Sequence, residues 1–277
     1  MCKTHLKDVG TPCEGVFFLV FARDETYVAE KICELESLGF PYLVVCGKNL
    51  SYPNVVFREC RGKYDAINFG FEFVPKETEI VVLNDVDTKI KHFEDALRCF
   101  ISDDADMVFA KVSAVEGPQQ VFLPILRRLR KIVPVAASGD LMLVRYGALK
   151  KALPIKPCKA EDSYLLFRLL AQKGKAVDCE ECYVIVEKTR TTREEALYKE
   201  RTVSGIYQAL ALADPPLRIK IFYIVLPFIS PILLVTGKKG YSWAKGILMG
   251  LTQYLRGDTS GYWQPVGVET PCQPVVA

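Results

Sequence analysis

Two aspartates close an apolar run in Ile80-Val-Val-Leu-Asn-Asp85-Val-Asp87-Thr88. Four consecutive apolar residues predict a strand buried on both faces. Side chains two apart on an extended segment point the same way, so both carboxylates can face one ligand. The C-terminal ends of strands are where open α/β sheets place their ligands. Paired hard oxygen donors there suit magnesium or manganese carrying a diphosphate. A strand running into a polar turn has the same composition, so other segments must decide between the two.

Four further segments hold residue types of use to such chemistry. Arg61-Gly-Lys63-Tyr-Asp-Ala-Ile-Asn68-Phe-Gly70 puts a lysine beside glycine before a short helix, upstream of the aspartates. A lysine there offsets phosphate charge, and Asn68 can fix a polar group. Ser138-Gly139-Asp140-Leu-Met-Leu-Val-Arg145 is a small-residue loop entering a strand, open to close approach by a substrate. Lys159-Ala-Glu161-Asp162-Ser163 lies at a helix start, where carboxylates are electrostatically favoured and commonly serve as caps. Arg201, within Tyr198-Lys-Glu-Arg201-Thr-Val-Ser-Gly205-Ile-Tyr-Gln208, precedes a hydrophobic C-terminal region. Taken singly, each has an ordinary structural explanation as a capped helix, a turn or an N-terminal cap.

Composition narrows the chemistry. A net charge of +3 over 277 residues, without a long basic run, argues against nucleic acid as a partner. Only two histidines occur, His5 and His92, which disfavours a histidine-based triad or a His-rich zinc site. The chemistry must therefore rest on carboxylates, Lys, Arg or Cys. Ten cysteines are scattered, and Cys33, Cys46 and Cys99 sit in apolar patterns as small core residues. Cys179 and Cys182 form one C-x-x-C with no second pair at zinc-ribbon spacing. Residues 1–15 read as a polar extension without a signal-peptide core, which places the bulk of the protein in the cytosol.

The elements that must position these residues alternate from Val16 onward. Val16–Phe21, Tyr42–Cys46, Asn54–Phe57, Ile80–Leu83, Met107–Lys111, Leu141–Val144, Ala176–Val177 and Tyr183–Val186 read as strands. Helices are predicted over Thr26–Leu38, stopped by Gly39, and over Asp65–Phe73, Phe93–Ile101 and Asp162–Gln172. Such alternation predicts an α/β fold with a mostly parallel central sheet flanked by helices, spanning about residues 16–212. No element is assigned between Lys111 and Leu141.

After Pro215-Pro216 the composition changes. Ile221–Val235 is a fifteen-residue stretch without a charge, flanked by Arg218 and Lys220 and by Lys238 and Lys239. A perpendicular membrane span needs roughly 20 residues, and Pro227 and Pro231 would kink this one. Tyr241–Leu255 is apolar apart from Lys245, and Gly246-x-x-x-Gly250 offers a close-packing face. Tyr223, Tyr241, Trp243, Tyr254, Tyr262 and Trp263 are placed to populate a water–lipid boundary. A hairpin dipping into the bilayer, helices lying in the interface and a soluble helix pair all fit residues 213–257. Basic residues at both ends favour interfacial or re-entrant helices over a clean crossing. Residues 258–277 form a tail.

The order of these segments resembles the inverting family 2 glycosyltransferases with a GT-A nucleotide-diphospho-sugar transferase fold. The likeness is greatest to the membrane-associated, cellulose-synthase-like branch and to mannosyltransferases that build lipid-linked glycans. It covers about residues 16–210 and the trailing hydrophobic helices. Arg61-Gly-Lys63…Ala66-Ile-Asn68-x-Gly70 is similar to the family's G-K-x-x-A-L-N-x-G segment, and Asp85-Val-Asp87 to its D-x-D. Glu161-Asp162 is similar to its E-D element, and Arg201 falls where the Q-x-x-R-W arginine binds the diphosphate. Tyr198 and Thr202 stand where the family has glutamine and tryptophan, which speaks against processive polymer synthesis. The second strand runs into Cys46-Gly-Lys48, without the family's aspartate near the donor base.

The resemblance implies Asp162 as catalytic base and Asp87 as metal ligand, with manganese or magnesium as cofactor. It implies donor contacts from Ala22, Arg23, Asp24, Lys63, Asp85 and Arg201, and an acceptor side of Ser138, Gly139, Asp140 and Glu161. The expected partners are a nucleotide-sugar, GDP-mannose first, a lipid or lipid-linked saccharide acceptor, and the cell membrane, with the catalytic domain facing the cytoplasm. Two other readings compete. A catalytically idle nucleotide-sugar-binding scaffold would keep the fold, whereas a sugar nucleotidyltransferase would show a Gly-rich loop after the first strand, and Phe21-Ala-Arg-Asp-Glu25 has no glycine.

Overall fold

Seven consecutive buried residues, Val16–Ala22, form strand β1 near the middle of an eight-stranded sheet in this computed structural model. The structure describes residues 15–114, 119–186, 189–258 and 261. His5, Tyr262 and Trp263, with most of the expected terminal extension and tail, lie outside the described residues.

In chain order the strands are β1, β2 (Tyr42–Cys46), β3 (Val55–Phe57), β4 (Ile80–Asp85), β5 (Thr88–Lys91), β6 (Met107–Ala114), β7 (Leu141–Arg145) and β8 (Ala176–Val186). The helices are α1 (Val28–Leu38), α2 (Lys63–Phe71), α3 (Phe93–Ser102), α4 (Gln119–Ile132), α5 (Tyr146–Ala152), α6 (Glu161–Ala171), α7 (Thr192–Ala213), α8 (Leu217–Ile229) and α9 (Lys238–Leu255). A 3-10 segment, Ser230–Thr236, continues α8.

The sheet order is β3-β2-β1-β4-β7-β6-β8-β5. Pairings β1–β2, β2–β3, β1–β4 and β6–β8 are parallel, and β4–β7, β6–β7 and β5–β8 are antiparallel. Alternate residues of β1 enter opposite cores, as the two-residue period of a strand requires. Phe17, Leu19 and Phe21 join the core beneath α2, α5, α6 and α7, and Phe18 and Val20 join the core beneath α1 and α3. β1 starts the β1-β2-β3 run to one side and pairs with β4 on the other, so the C-terminal ends of β1 and β4 border a switch point, where ligands bind in open sheets.

Strand β8 explains why the sequence reads as two short strands there. Ala110 pairs with Cys179 but Lys111 pairs with Tyr183, so residues 180–182 bulge out of the ladder. Helix α4 was not anticipated because Pro124 interrupts its pattern. Cys46 is buried as its pattern predicts, but Cys33 lies on the exposed side of α1 and Cys99 is only half-buried.

The C-terminal helices share the hydrophobic core of the sheet rather than building their own, since Ile219, Tyr223 and Ile247 pack with the sheet residues. The Gly-x-x-x-Gly face of α9 is used inside the chain. A methyl at Gly246 would stand 2.5 Å from Lys199 Cβ, and one at Gly250 would stand 2.6 Å from the Glu200 carbonyl oxygen, both on α7. Leu217–Thr236 is, among the described residues, one helical stretch long and apolar enough to cross a membrane, with mean hydropathy 2.1. Most of it faces outward: Phe228 is 81% and Val235 85% exposed.

Candidate active site

Strand β4 delivers Asn84 and Asp85 to its C-terminal end, and a tight turn through Asp87 leads to β5. Asn84 is fully buried and donates from Nδ2 to the Asp140 carbonyl at 2.7 Å and to Thr88 Oγ1 at 2.8 Å. Thr88 Oγ1 in turn donates to the Asp85 carbonyl at 2.9 Å. Lys31, reaching across from α1 with a side chain 1% exposed, closes the network. Its Nζ donates to Asn84 Oδ1 at 3.1 Å and to the Thr88 carbonyl, and pairs with Glu34 at 2.6 Å. Burial pushes the Lys31 ammonium below the ordinary lysine range, against the opposing charges of Glu34, Asp87 and Asp85. The turn is thus fixed from beneath while Asp87 remains exposed at its tip.

Lys63 opens α2 and joins the aspartate turn to the rest of the site. Its Nζ lies 2.6 Å from Asp85 Oδ1 and 3.3 Å from Glu161 Oε1, and donates to the Gly139 carbonyl at 3.1 Å. Burial opposes the Lys63 charge, but Asp85 and Glu161 outweigh it and hold the ammonium above its usual range. Asp85 shows the converse balance. Burial raises its carboxyl to about 7, Lys63 pulls it down, and Asp87 and Asp140 push it up again. Asn68, one turn further along α2, exchanges hydrogen bonds with the backbone of Ile155 at 2.8 and 2.9 Å, so the polar group it fixes is main chain.

Asp162 sits in the first turn of α6, where its Oδ1 accepts from the Ser163 N–H at 2.6 Å. Burial and the adjacent Glu161 push its carboxyl up to about 6. Gly139 lies directly against it, since a methyl there would meet Asp162 Oδ2 at 3.1 Å and Cβ at 3.2 Å. Beside it Ser138 donates to Asp140 Oδ2 at 3.2 Å. Arg201, on α7, stacks over the Tyr198 ring at 4.9 Å. Burial lowers its pKa, while Tyr198, Glu161, Asp162 and Asp85 are near enough for their charges to favour its protonated form.

A cleft of about 550 Å³ opens over the ends of β1, β2 and β4. Ala22, Arg23, Asp24, Lys63, Asp85 and Asp87, six of the residues expected to bind donor or metal, line it. Ser138, Gly139, Asp140, Glu161, Asp162 and Arg201 do not. They form an adjoining cluster, which Lys63 touches through Glu161 and the Gly139 carbonyl. Arg23 pairs with Asp24 at 2.8 Å, and the Ala22 carbonyl accepts from Gly47 N–H at 2.9 Å, which ties the loops after β1 and β2 together.

Sequence reasoning missed Tyr27, Glu59 and Cys60 in this cleft, and Lys31 beneath it. Glu59 follows β3, whose parallel neighbour β2 ends at the same cleft, but that pairing is a property of the folded sheet and not of the local sequence. Lys31 carried no signal either, since a lysine inside an amphipathic helix normally faces solvent.

Asp85 and Asp87 provide hard oxygen donors, and the neighbouring carboxylates Asp87 and Asp140 disfavour the ionisation of Asp85. That is the donor set a small dication satisfies, so the residues fit magnesium or manganese.

No protein-family model matches the chain, and no curated protein does. Among solved structures, a mannosyltransferase from Pyrobaculum calidifontis in complex with GDP-Man and Mn2+ aligns over 88% of this chain and 88% of its own, with TM-score 0.67 and 15% identity. The fold is GT-A. Two other matches are looser. Glucosyl-3-phosphoglycerate synthase from Mycobacterium tuberculosis aligns over 73% of this chain and 81% of its own (TM-score 0.49, 13% identity). The catalytic domain of Drosophila β1,4-galactosyltransferase 7 aligns over 59% and 64% (TM-score 0.37, 13% identity). Within this GT-A sheet, the aspartate turn sits at the end of β4 beside the switch point.

Proposed function

We propose that the protein is a metal-assisted, inverting glycosyltransferase that moves mannose from GDP-mannose to a lipid or lipid-linked glycan at a membrane surface. One observation carries this reading. Lys63 touches the aspartate turn through Asp85 and the base-bearing helix through Glu161, so donor and acceptor chemistry meet at one side chain.

The nucleoside occupies the cleft over Ala22, Arg23 and residues 46–48. Glu59 and Tyr27 line its walls, and a carboxylate there suits the N–H edge of guanine. The fold match to a protein solved with GDP-Man supports the same choice of donor. Asp87, with Asp85, would hold the divalent ion, which when bound neutralises the diphosphate as it leaves. Lys63 and Arg201 add fixed positive charge on the same leaving group. Asp162 takes the proton from the acceptor hydroxyl as the oxygen attacks the anomeric carbon from the face opposite the diphosphate. Its raised pKa matches a base working near neutral pH.

The acceptor reaches Asp162 past Ser138, Gly139 and Asp140. Tyr223, on the inner side of α8, donates to the Val135 carbonyl at 2.7 Å, three residues before that loop. The outward side of α8 and the 3-10 segment is apolar, with Arg218, Lys220, Lys238 and Lys239 at its ends. This pattern suits a helix lying in the lipid interface with basic residues at the headgroups, on the cytoplasmic face of the cell membrane.

The test is a donor panel with purified protein, lipid vesicles, a polyisoprenyl phosphate acceptor and manganese. The expected result is mannosyl transfer from GDP-mannose into the organic phase, with an inverted anomeric centre by NMR. Preference for a UDP-sugar overturns the mannose assignment. Tight GDP binding without transfer to any acceptor favours the idle scaffold.

A further inference from the structure

Outside the catalytic cluster, the fold brings together two cysteines 80 positions apart in sequence. Cys99, on α3, and Cys179, on β8, have their Sγ atoms 2.7 Å apart. Helix α3 packs directly on β8, so the contact belongs to two regular elements rather than to a loop. Cys179 is buried and its thiol also faces the Asp95 carbonyl at 3.6 Å, while Cys99 is half-buried and accessible to a small reagent. We infer that Cys99 and Cys179 form a reversible disulfide that staples α3 to the edge of the sheet.

A metal fits these sulfurs poorly. Two thiolates on one tetrahedral zinc, each about 2.3 Å from it, stand roughly 3.8 Å apart. The observed separation is far shorter, inside the van der Waals contact of two sulfurs, and a small side-chain rotation leads towards a covalent bond. The nearest further donor, Glu181 Oε2, lies 3.9 Å from Cys99 Sγ and 3.6 Å from Cys179 Sγ, and its residue is exposed on the β8 bulge. Cys182, the other half of the C-x-x-C, is buried within the bulge, so the sequence motif is not the pair that meets.

The oxidant is a small disulfide such as oxidised glutathione. The Cys99 thiolate attacks one of its sulfurs, forming a mixed disulfide and releasing one thiol. Cys179 then loses its proton and attacks Cys99 Sγ, releasing the second thiol. Two protein thiols are oxidised by two electrons and one small disulfide is reduced to two thiols. Burial and the neighbouring Cys179 thiol push the Cys99 thiol up to about 12, so closure is slow at neutral pH and the reduced pair persists under reducing conditions. The staple closes a long loop and fastens the segment that follows β5, the strand reached through the aspartate turn.

The full chain, purified with reductant, is treated with oxidised glutathione, alkylated and digested without reduction. The expected product is a Cys99–Cys179 linked peptide lighter by two hydrogens than its parts. It is accompanied by a rise in Tm of roughly 5–10 °C that dithiothreitol reverses. Cys99→Ser removes both the peptide and the rise. Alkylation of both thiols after oxidation overturns the inference, as does a link from either to Cys182, or stoichiometric zinc lost in Cys99→Ser. The peptide map is read on the unmodified sequence, so it stands even if a Cys179→Ser variant fails to fold.

Discussion

Lys63 Nζ stands 2.6 Å from Asp85 Oδ1, a contact between the first residue of α2 and the last of β4. It holds a carboxylate already raised to about 7 partly in its ionised form, ready to accept a metal. Lys63→Met is expected to lower kcat/KM by roughly 10²–10³, the cost of one aimed charge in a dry site. The Asp85 carboxyl then rises further, so half-maximal activity in manganese titrations moves to higher metal concentration at pH 7. Full activity and unchanged metal dependence in this variant would remove Lys63 from the donor site.

As the proposed base, Asp162 should set the acid limb of the pH profile. With Asp162 raised to about 6 by burial and Glu161, log(kcat/KM) should fall with unit slope as pH drops below about 6. Stability runs the other way. A folded pKa above the unfolded value near 3.8 means the folded state binds the proton more tightly. That contribution is fully present below the unfolded pKa and is lost as pH rises through about 6. Asp162→Asn should therefore abolish transfer in the presence of manganese, yet raise stability at pH 7.5, compared in chelator, by on the order of 1–3 kcal/mol. The gain should shrink towards pH 4, as denaturant titrations at the two pH values would show.

Gly139 tests whether close approach at the base matters. A methyl there meets Asp162 Oδ2 at 3.1 Å and its Cβ at 3.2 Å, so one of the two must yield. Gly139→Ala is expected to cut kcat roughly 10-fold or more by displacing the carboxylate, while Tm changes little. A loss confined to stability would assign the glycine to folding alone.

Much of this site was legible because it lies at strand and helix ends that the sequence marks strongly. The apolar run Ile80–Leu83 is fully committed to a two-faced core, and the polar residues after it emerge at the sheet edge. Glu161 and Asp162 could be placed because an acidic first turn is a helix-start signal. Glu59 and Lys31 were not legible. β3 has only three residues, so nothing local announces that its end opens into the cleft. Lys31 occupies the buried face of α1, where its role depends on Thr88 and Asn84, more than fifty positions away. β5 was not read as a strand at all, and the antiparallel pairing of β7 was hidden for the same reason, since strand direction is a property of the connections.

Lys31 gives the aspartate turn its shape from below, and removing it leaves Glu34 and the Asn84–Thr88 network without their central donor. Lys31→Met should destabilise the fold by about 3 kcal/mol, in line with breaking a buried charged pair. It should also weaken manganese binding roughly 10-fold, because Asp85 and Asp87 lose their fixed geometry. Calorimetric metal titration separates this from simple loss of folded protein. Unaltered metal affinity in the folded fraction would confine Lys31 to stability.

The last prediction concerns the outward face of α8 and the 3-10 segment. Phe228 and Val235 touch little of the protein, so their replacement leaves the core intact. Burying each in lipid is worth about 1.5–3 kcal/mol, or roughly 10- to 100-fold in partitioning. The protein should co-float with vesicles rich in anionic lipid, more weakly at high salt, because Lys238, Lys239, Arg218 and Lys220 meet the headgroups. Phe228→Glu combined with Val235→Glu should abolish flotation while GDP binding in solution stays intact. High-pH carbonate should extract the protein from membranes, since Pro227 and Pro231 and the charged ends fit an interfacial helix. Resistance to carbonate would mean that Leu217–Thr236 crosses the bilayer instead.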